Sequence, residues 1–166
     1  MEKTTRTILL AVDLAPDGDV VAQHARDLAR ALGARVVACS VLEELEALVE
    51  LNLPYVRYDE LLPAEEEKAR KSLAALVARE LKGVPDVSMR VERGRTHTTI
   101  LRLAEEAGAD LIVIGTHGER GIERALYGSP AQRIIRGARV PVLVVPLEDK
   151  QAGAPGARQS APGSRA

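Results

Sequence analysis

Residues 111–118 read LIVIGTHG, and residues 128–132 read GSPAQ. The first stretch is a continuous apolar run, Leu111–Thr116, broken by glycine. A run that does not alternate marks a strand buried on both faces, as in a parallel sheet covered by helices. In the second stretch Ser129 is a helix cap, Pro130 suits the first helical position and Gln132 the third, leading into Ile134 and Ile135. Strand, glycine-bearing loop and helix in that order form the repeating step of an α/β fold.

The same step recurs outward from this stretch. Thr7–Asp13 (TILLAVD), Arg35–Leu42 (RVVACSVL) and Val140–Pro146 (VPVLVVP) are further continuous apolar runs. Val87–Arg93 (VSMRVER) instead alternates Val87, Met89 and Val91 with Ser88, Arg90 and Glu92, which predicts a strand with one wet face, near an edge. Pro141 removes a ladder donor and places the last strand at an edge as well. Between the strands, Val20 to Leu32 keep helical spacing up to Gly33. Pro63 opens the acidic turn Ala64-Glu65-Glu66-Glu67 of a helix that runs to Gly83. Thr98 or Thr99 caps a helix carrying Ile100, Leu103, Ala104 and Ala107, closed by Gly108. The order is β-α-β-α-β-α-β-α-β, an open, doubly wound, five-stranded parallel sheet with right-handed crossovers and helices on both faces. Glu43–Leu62 is a long connection, with a short helix expected over Leu45–Leu51 and a turn at Pro54. Residues 1–147 form one domain; 148–166 are rich in Gly, Pro, Ala and Ser and are expected to be disordered.

Composition narrows the function. With 166 residues and 46% hydrophobic content the chain fills the core of one domain. A net charge of -1 gives no general attraction to nucleic acid or to anionic lipid. Three Tyr with no Phe and no Trp leave little on which bases could stack. Cys39 sits inside an apolar run and is expected to be a buried, inert thiol. No apolar stretch approaches the length of a membrane span, and the start MEKTT is not a signal peptide, so the expectation is a cytoplasmic protein.

Chemistry in such a fold belongs beyond the carboxyl ends of the strands, where the strand order reverses. The first strand run ends in a carboxylate, Asp13, and the fourth ends in Gly115-Thr116-His117-Gly118. Glycines there let backbone approach a ligand and offer amides to an anion, and Gly128-Ser129 delivers a helix N-terminus that favours phosphate. His117 has no carboxylate or nucleophile placed with it by spacing and reads as a positional residue; His24 and His97 have no metal-ligand partner by spacing. The signatures G-x-x-x-x-G-K-[ST], G-x-G-x-x-G after the first strand, and G-x-S-x-G are absent, which argues against a phosphate-loop ATPase, a dinucleotide oxidoreductase and a hydrolase elbow.

Gly115-x-x-Gly118, nine residues, then Gly128-Ser129 resembles the G-x2-G-x9-G-[S/T] nucleotide motif of the universal stress protein family. ADLIVIGTHGERG, RVPVLVVP and TILLAVD resemble that family's fourth, fifth and first strands, and the likeness covers roughly residues 6–147. The resemblance implies strand order 3-2-1-4-5 and bound ATP, with or without Mg2+. It implies Asp13 at the nucleoside, Val41 against adenine, and Gly115, Gly118, Gly128 and Ser129 at ribose and phosphates, with Thr116, His117 and Pro130 completing the set. It further implies a homodimer paired through the edge strand at Val140–Val145 and an unidentified protein partner. Two positions depart from the pattern. Pro130 has no N–H for a phosphate, and Glu119 stands where relatives often carry a base, leaving Arg120 or Arg124 to supply positive charge. The implied function is an ATP-gated regulatory or signalling module in stress response. The alternatives are a nucleotide-free dimeric scaffold of the same fold and a slow ATPase or self-phosphorylating enzyme using Ser129 or a nearby Thr.

Overall fold

Five strands line up side by side in the order β3-β2-β1-β4-β5, every neighbouring pair parallel. The computed structural model describes residues 6–43, 58–116 and 130–147, with backbone alone for 58–61. In chain order the elements are β1 (Thr7–Ala11), α1 (Gly18–Leu32), β2 (Arg35–Leu42), α2 (Tyr58–Glu80), β3 (Val87–Arg93), α3 (Thr96–Ala107), β4 (Leu111–Gly115), α4 (Pro130–Gly137) and β5 (Val142–Val145). Ile8 of β1 lies opposite Val36 on one side and Leu111 on the other. The chain winds outward through β2 and β3, then returns to the far side of β1, so the order reverses between β1 and β4.

The alternation of the pleat divides the core into two layers. Ile8, Leu10, Val12, Val36, Ala38 and Val113 face α1 and α2, where they meet Val21, Ala22, Ala25, Ala29, Leu73 and Leu76. Leu9, Ala11, Val37, Cys39, Ile112 and Ile114 face α3 and α4, against Ile100, Leu103, Ala104 and Ile134. The alanine stripe of α1 lets that helix lie close on the sheet, and branched aliphatics fill the volume that aromatics take in other cores. Cys39 is fully buried; desolvation pushes its thiol up to about 12, with the Glu92 carboxylate adding to the rise and Arg90 opposing it.

Polar contacts pin the layers at two places. Between α1 and α2, Gln23 Nε2 donates to Glu80 Oε2 at 3.0 Å and Arg79 NH2 donates to Asp19 Oδ1 at 2.5 Å, while within α2 Arg79 Nε donates to Glu80 Oε1 at 2.9 Å. The donated hydrogen bond from Gln23, followed by that from Arg79, holds the Glu80 carboxyl below its ordinary range even though desolvation works against this. At the amino ends of the strands, Arg35 Nε donates to Thr7 Oγ1 at 2.8 Å and its NH2 to the Ala107 carbonyl at 2.9 Å, tying β1, β2 and α3 together.

The two borders of the sheet differ. Ser88, Met89 and Arg90 of β3 are exposed, and Arg90 joins Glu92, Arg102 and Glu106 in a lattice of ion pairs. β5 presents Val142, Leu143 and Val144, all half-buried.

Several boundaries differ from the sequence expectation. Pro63 does not open α2 but lies inside it: the helix begins at Tyr58, so residues 58–62 are helical and not part of the connection. Proline so near a helix start loses only the bond to the Asp59 carbonyl, and Arg93 NH2 donates to the Leu62 carbonyl beside it at 3.4 Å. Neither Thr98 nor Thr99 caps α3; Arg95 holds the cap position and the Thr98 hydroxyl donates back to its carbonyl at 3.0 Å. β1 stops at Ala11, two residues before Asp13, and β5 starts after Pro141, whose carbonyl accepts from Ile112 N at 3.0 Å. Gly33 and Gly108 close α1 and α3 in the left-handed conformation as expected. The expected helix at 45–51, the turn at Pro54 and the tail 148–166 lie outside the described residues.

Candidate functional site

The reversal of strand order puts the carboxyl ends of β1 and β4 side by side, and a small cleft of about 50 Å³ opens there. Ala11, Asp13, Ala15, Asp17, Gly18, Val21, Gly115 and Leu147 line it. Three elements build it, each for a local reason. After β1 the chain turns through Leu14-Ala15-Pro16-Asp17 into α1. The turn is fixed from both ends: Ala15 N donates to Asp13 Oδ1 at 3.2 Å, and Gly18 N donates to the Ala15 carbonyl at 3.0 Å. Gly18 is required by space, since a Cβ there would stand 2.3 Å from the Asp13 carbonyl oxygen. The first turn of α1 therefore presses directly on the end of β1, and Asp13 is held at the mouth of the cleft.

The opposite wall is Gly115, the last residue of β4. A Cβ at Gly115 would lie 2.9 Å from Leu147 Cδ1 and 3.1 Å from Val21 Cγ2, so the missing side chain makes room for these two residues. Thr116 does not line the cleft. Its N–H donates to the Val145 carbonyl at 3.0 Å and its hydroxyl accepts from Leu147 N at 3.0 Å, joining the ends of β4 and β5. Val41, near the end of β2, is half-buried against the α3–α4 layer and does not line the cleft either.

Of the sequence-derived set, then, Asp13 and Gly115 meet in one cleft, Thr116 ties β4 to β5, Val41 packs in the α3–α4 layer away from the cleft lining, and Pro130 is the first residue of α4. His117, Gly118, Gly128 and Ser129, with Glu119, Arg120 and Arg124, lie outside the described residues. Sequence reasoning missed Asp17, Gly18, Val21 and Leu147, together with the small Ala11 and Ala15. The Pro-Asp-Gly string at 16–18 was a signal for Gly18, because such a turn feeding a helix invites close backbone approach. Leu147 follows Pro146 with no periodicity to mark it.

The charged side chains of the cleft are hydrogen-bond acceptors. Asp13 and Asp17 bring carboxylates, which accept from hydroxyls and repel anions. Among the described residues no group of three His, Cys, Asp or Glu side chains could hold a metal ion. His24 Nδ1 lies 2.8 Å from the Val20 carbonyl, an exposed contact within α1. No helix among the described residues is long and apolar enough to cross a membrane.

Known proteins share both sequence and fold with this chain. It is 33% identical over 152 residues to the universal stress protein MJ0531 of Methanocaldococcus jannaschii, covering 90% of this chain and 87% of that one. Among solved structures, that of MJ0577 superimposes with a TM-score of 0.72 at 25% identity, over 87% of this chain and 98% of its own. Two more distant structures share the fold. One is a universal stress protein in complex with cAMP (TM-score 0.57, 22% identity, 85% of this chain and 96% of that one). The other is the universal stress protein from Archaeoglobus fulgidus in complex with dAMP (TM-score 0.59, 21% identity, 84% and 96%). The family's own sequence profile matches residues 4–146, nearly the whole folded chain, and with a relative at one-third identity across nine-tenths of the length this chain belongs to the universal stress protein family.

Proposed function

We propose that this chain is an ATP-binding regulatory module of the stress response, acting through a bound adenine nucleotide on a protein partner and not through turnover. One observation carries the reading: Asp13 and Gly115 share a cleft at the point where the strand order reverses, the place where an open α/β sheet receives its ligands. Structural relatives in complex with cAMP and dAMP favour an adenine nucleotide. In this reading the Asp13 carboxylate, steadied by the Ala15 N–H, accepts the ribose hydroxyls. Adenine lies against the aliphatic Val41 and neighbouring backbone, and the backbone amides of Gly118, Gly128 and Ser129 hold the phosphates, with Mg2+ as an optional counter-ion. The chain works in the cytoplasm as a homodimer joined through Val140–Val145.

The test is direct. Protein purified from its host is denatured and the supernatant run on an ion-exchange column; adenine nucleotide is expected. Calorimetry with ATP and Mg2+ should show binding that Gly118→Val abolishes, and hydrogen exchange over residues 116–128 should slow with ATP. No nucleotide, no heat and unchanged exchange would sink the reading. The 50 Å³ cleft favours one competing reading, a nucleotide-free scaffold, which predicts that triple negative. For the dimer, sedimentation should show Val144→Lys shifting pairs to monomers.

A further inference from the structure

Residues 130–147 carry Arg133, Arg136 and Arg139 and no acidic side chain, a local charge of +3 in a chain whose net charge is -1. The packing of α4 decides where that charge is displayed. Ile134, 2% exposed, turns into the core, and Gly137 abuts α3, where a Cβ would stand 2.7 Å from Leu101 Cδ1. With those sides taken, the helical period leaves Arg133, Ile135 and Arg136 outside, and all three are exposed. A single exposed isoleucine is ordinary on a protein surface. Ile135, however, is 50% exposed, more than any other large apolar side chain among the described residues, and it stands between two arginines. Those arginines are unmatched. Arg70, Arg79, Arg102 and Arg139 are exposed as well, yet each has a carboxylate partner, respectively Glu66, Asp19, Glu106 and Glu105. Among the described residues none pairs with Arg133 or Arg136. Arg136, in the last turn, answers the helix dipole; Arg133 and Ile135 have no such reason to be there.

We propose that the outer face of α4 docks an acidic segment of a partner protein, its apolar anchor covering Ile135 and its carboxylates pairing with Arg133 and Arg136. Charge complementarity selects this occupant. A second copy fits the face poorly, because in a two-fold pair like meets like, and residues 130–147 have no carboxylate to set against the arginines. The face lies on α4 and leaves the backbone edge of β5 to the homodimer proposed above. The proposal rests on the reading above only in giving the chain a protein partner; it needs no nucleotide. The apolar contact supplies the anchor, and the charges supply orientation and a fast encounter that salt slows.

The experiment uses the full chain and a short fluorescein-labelled peptide with Leu at its centre and Glu on both sides, its affinity read by anisotropy without nucleotide. The wild type should bind it, more weakly as salt rises, and amide shifts on NMR should centre on residues 130–139. Arg133→Glu combined with Arg136→Glu should lower the affinity about tenfold or more. Ile135→Ser should lower it about threefold, as the anchor loses its apolar contact. No binding by the wild type, or unchanged affinity in either variant or for a peptide with Lys in place of Glu, overturns the proposal. Binding by the Val144→Lys monomer alone would mean that a second copy covers α4, and overturns it too. If charge reversal disturbs the fold, Arg133→Gln combined with Arg136→Gln decides: weaker binding supports the proposal and unchanged binding overturns it. ATP takes no part, so failure here leaves the nucleotide reading standing, and failure of nucleotide binding leaves the docking face to be judged by the peptide.

Discussion

Replacing Gly18 by alanine adds one methyl group, and two opposing terms set the result. Gly18 is the first residue of α1, so the gain from replacing glycine is at most the helix-interior value of about 0.5–1 kcal/mol, which arises because alanine has less backbone freedom to lose. Against this, the new Cβ would stand 2.3 Å from the Asp13 carbonyl oxygen, so about 0.7 Å must open before the pair reaches even the tightest contact real Cβ atoms make. The obstacle is backbone and cannot rotate away. Its position is fixed by the turn in which Ala15 N binds Asp13 Oδ1 and Gly18 N binds the Ala15 carbonyl, so the whole of residues 13–18 must shift. Overpacking of this kind costs roughly 1–3 kcal/mol, and against backbone the upper part of that range applies. The net loss is then about 1–2 kcal/mol, which for a domain of this size lowers the melting temperature by about 3–6 °C. Urea denaturation read by circular dichroism gives the free energy, and a thermal scan gives the shift. The turn carries Asp13, so on the proposed function nucleotide affinity should fall with stability. A Gly18→Ala protein as stable as the wild type, or more so, would refute the packing argument, since the propensity term alone predicts that gain.

Arg35→Met removes both donors that Arg35 gives to Thr7 Oγ1 and the Ala107 carbonyl and should cost about 1–3 kcal/mol in chemical denaturation, without touching the cleft. Glu80 is held below its ordinary value of 4.5 by Gln23 and then Arg79, so it stabilises the fold when ionised; that contribution is present above 4.5 and is lost as pH falls through the lowered native value. The stability of the wild type over Glu80→Gln should therefore be largest near neutral pH and vanish in strong acid, as urea midpoints across pH would show. With its thiol pushed up to about 12, Cys39 should ignore a thiol reagent at pH 8 in the native protein and react only as urea unfolds it.

The strands were legible because burial on both faces leaves continuous apolar runs, as in LLAV and LIVIG, and because the alternation of Val87, Met89 and Val91 marked the border strand. The order of the strands came with the family resemblance, since no run of residues states which strand it will neighbour. Helix starts were read less well. Pro63 carries the signature of a first helical residue, yet a proline about a turn and a half in is tolerated where the lost bond lies next to carbonyl groups that side chains can reach. The hydroxyls of Thr98 and Thr99 suggested a cap because pattern alone cannot tell a hydroxyl aimed at an amide from one aimed back at a carbonyl. In the cleft, Asp13 and Gly115 were visible as a charge and a glycine at strand ends. Leu147 was not, because a leucine after a proline has no periodicity and acquires meaning only when β5 lies down beside β4.

The unequal borders of the sheet bear on how far self-association can run. An open parallel sheet has two free edges, and if both accepted another copy the molecules could add end to end without limit. Here the β3 border wears the lattice of Arg90, Glu92, Arg102 and Glu106, whose charges would have to shed water to be covered. Among the described residues the β5 border instead presents the half-buried aliphatics Val142, Leu143 and Val144, with no charged side chain in the strand. A molecule with a single adhesive edge can pair but cannot propagate, so if this chain self-associates through β5 as proposed, it should saturate in closed pairs where a symmetric sheet would grow into filaments.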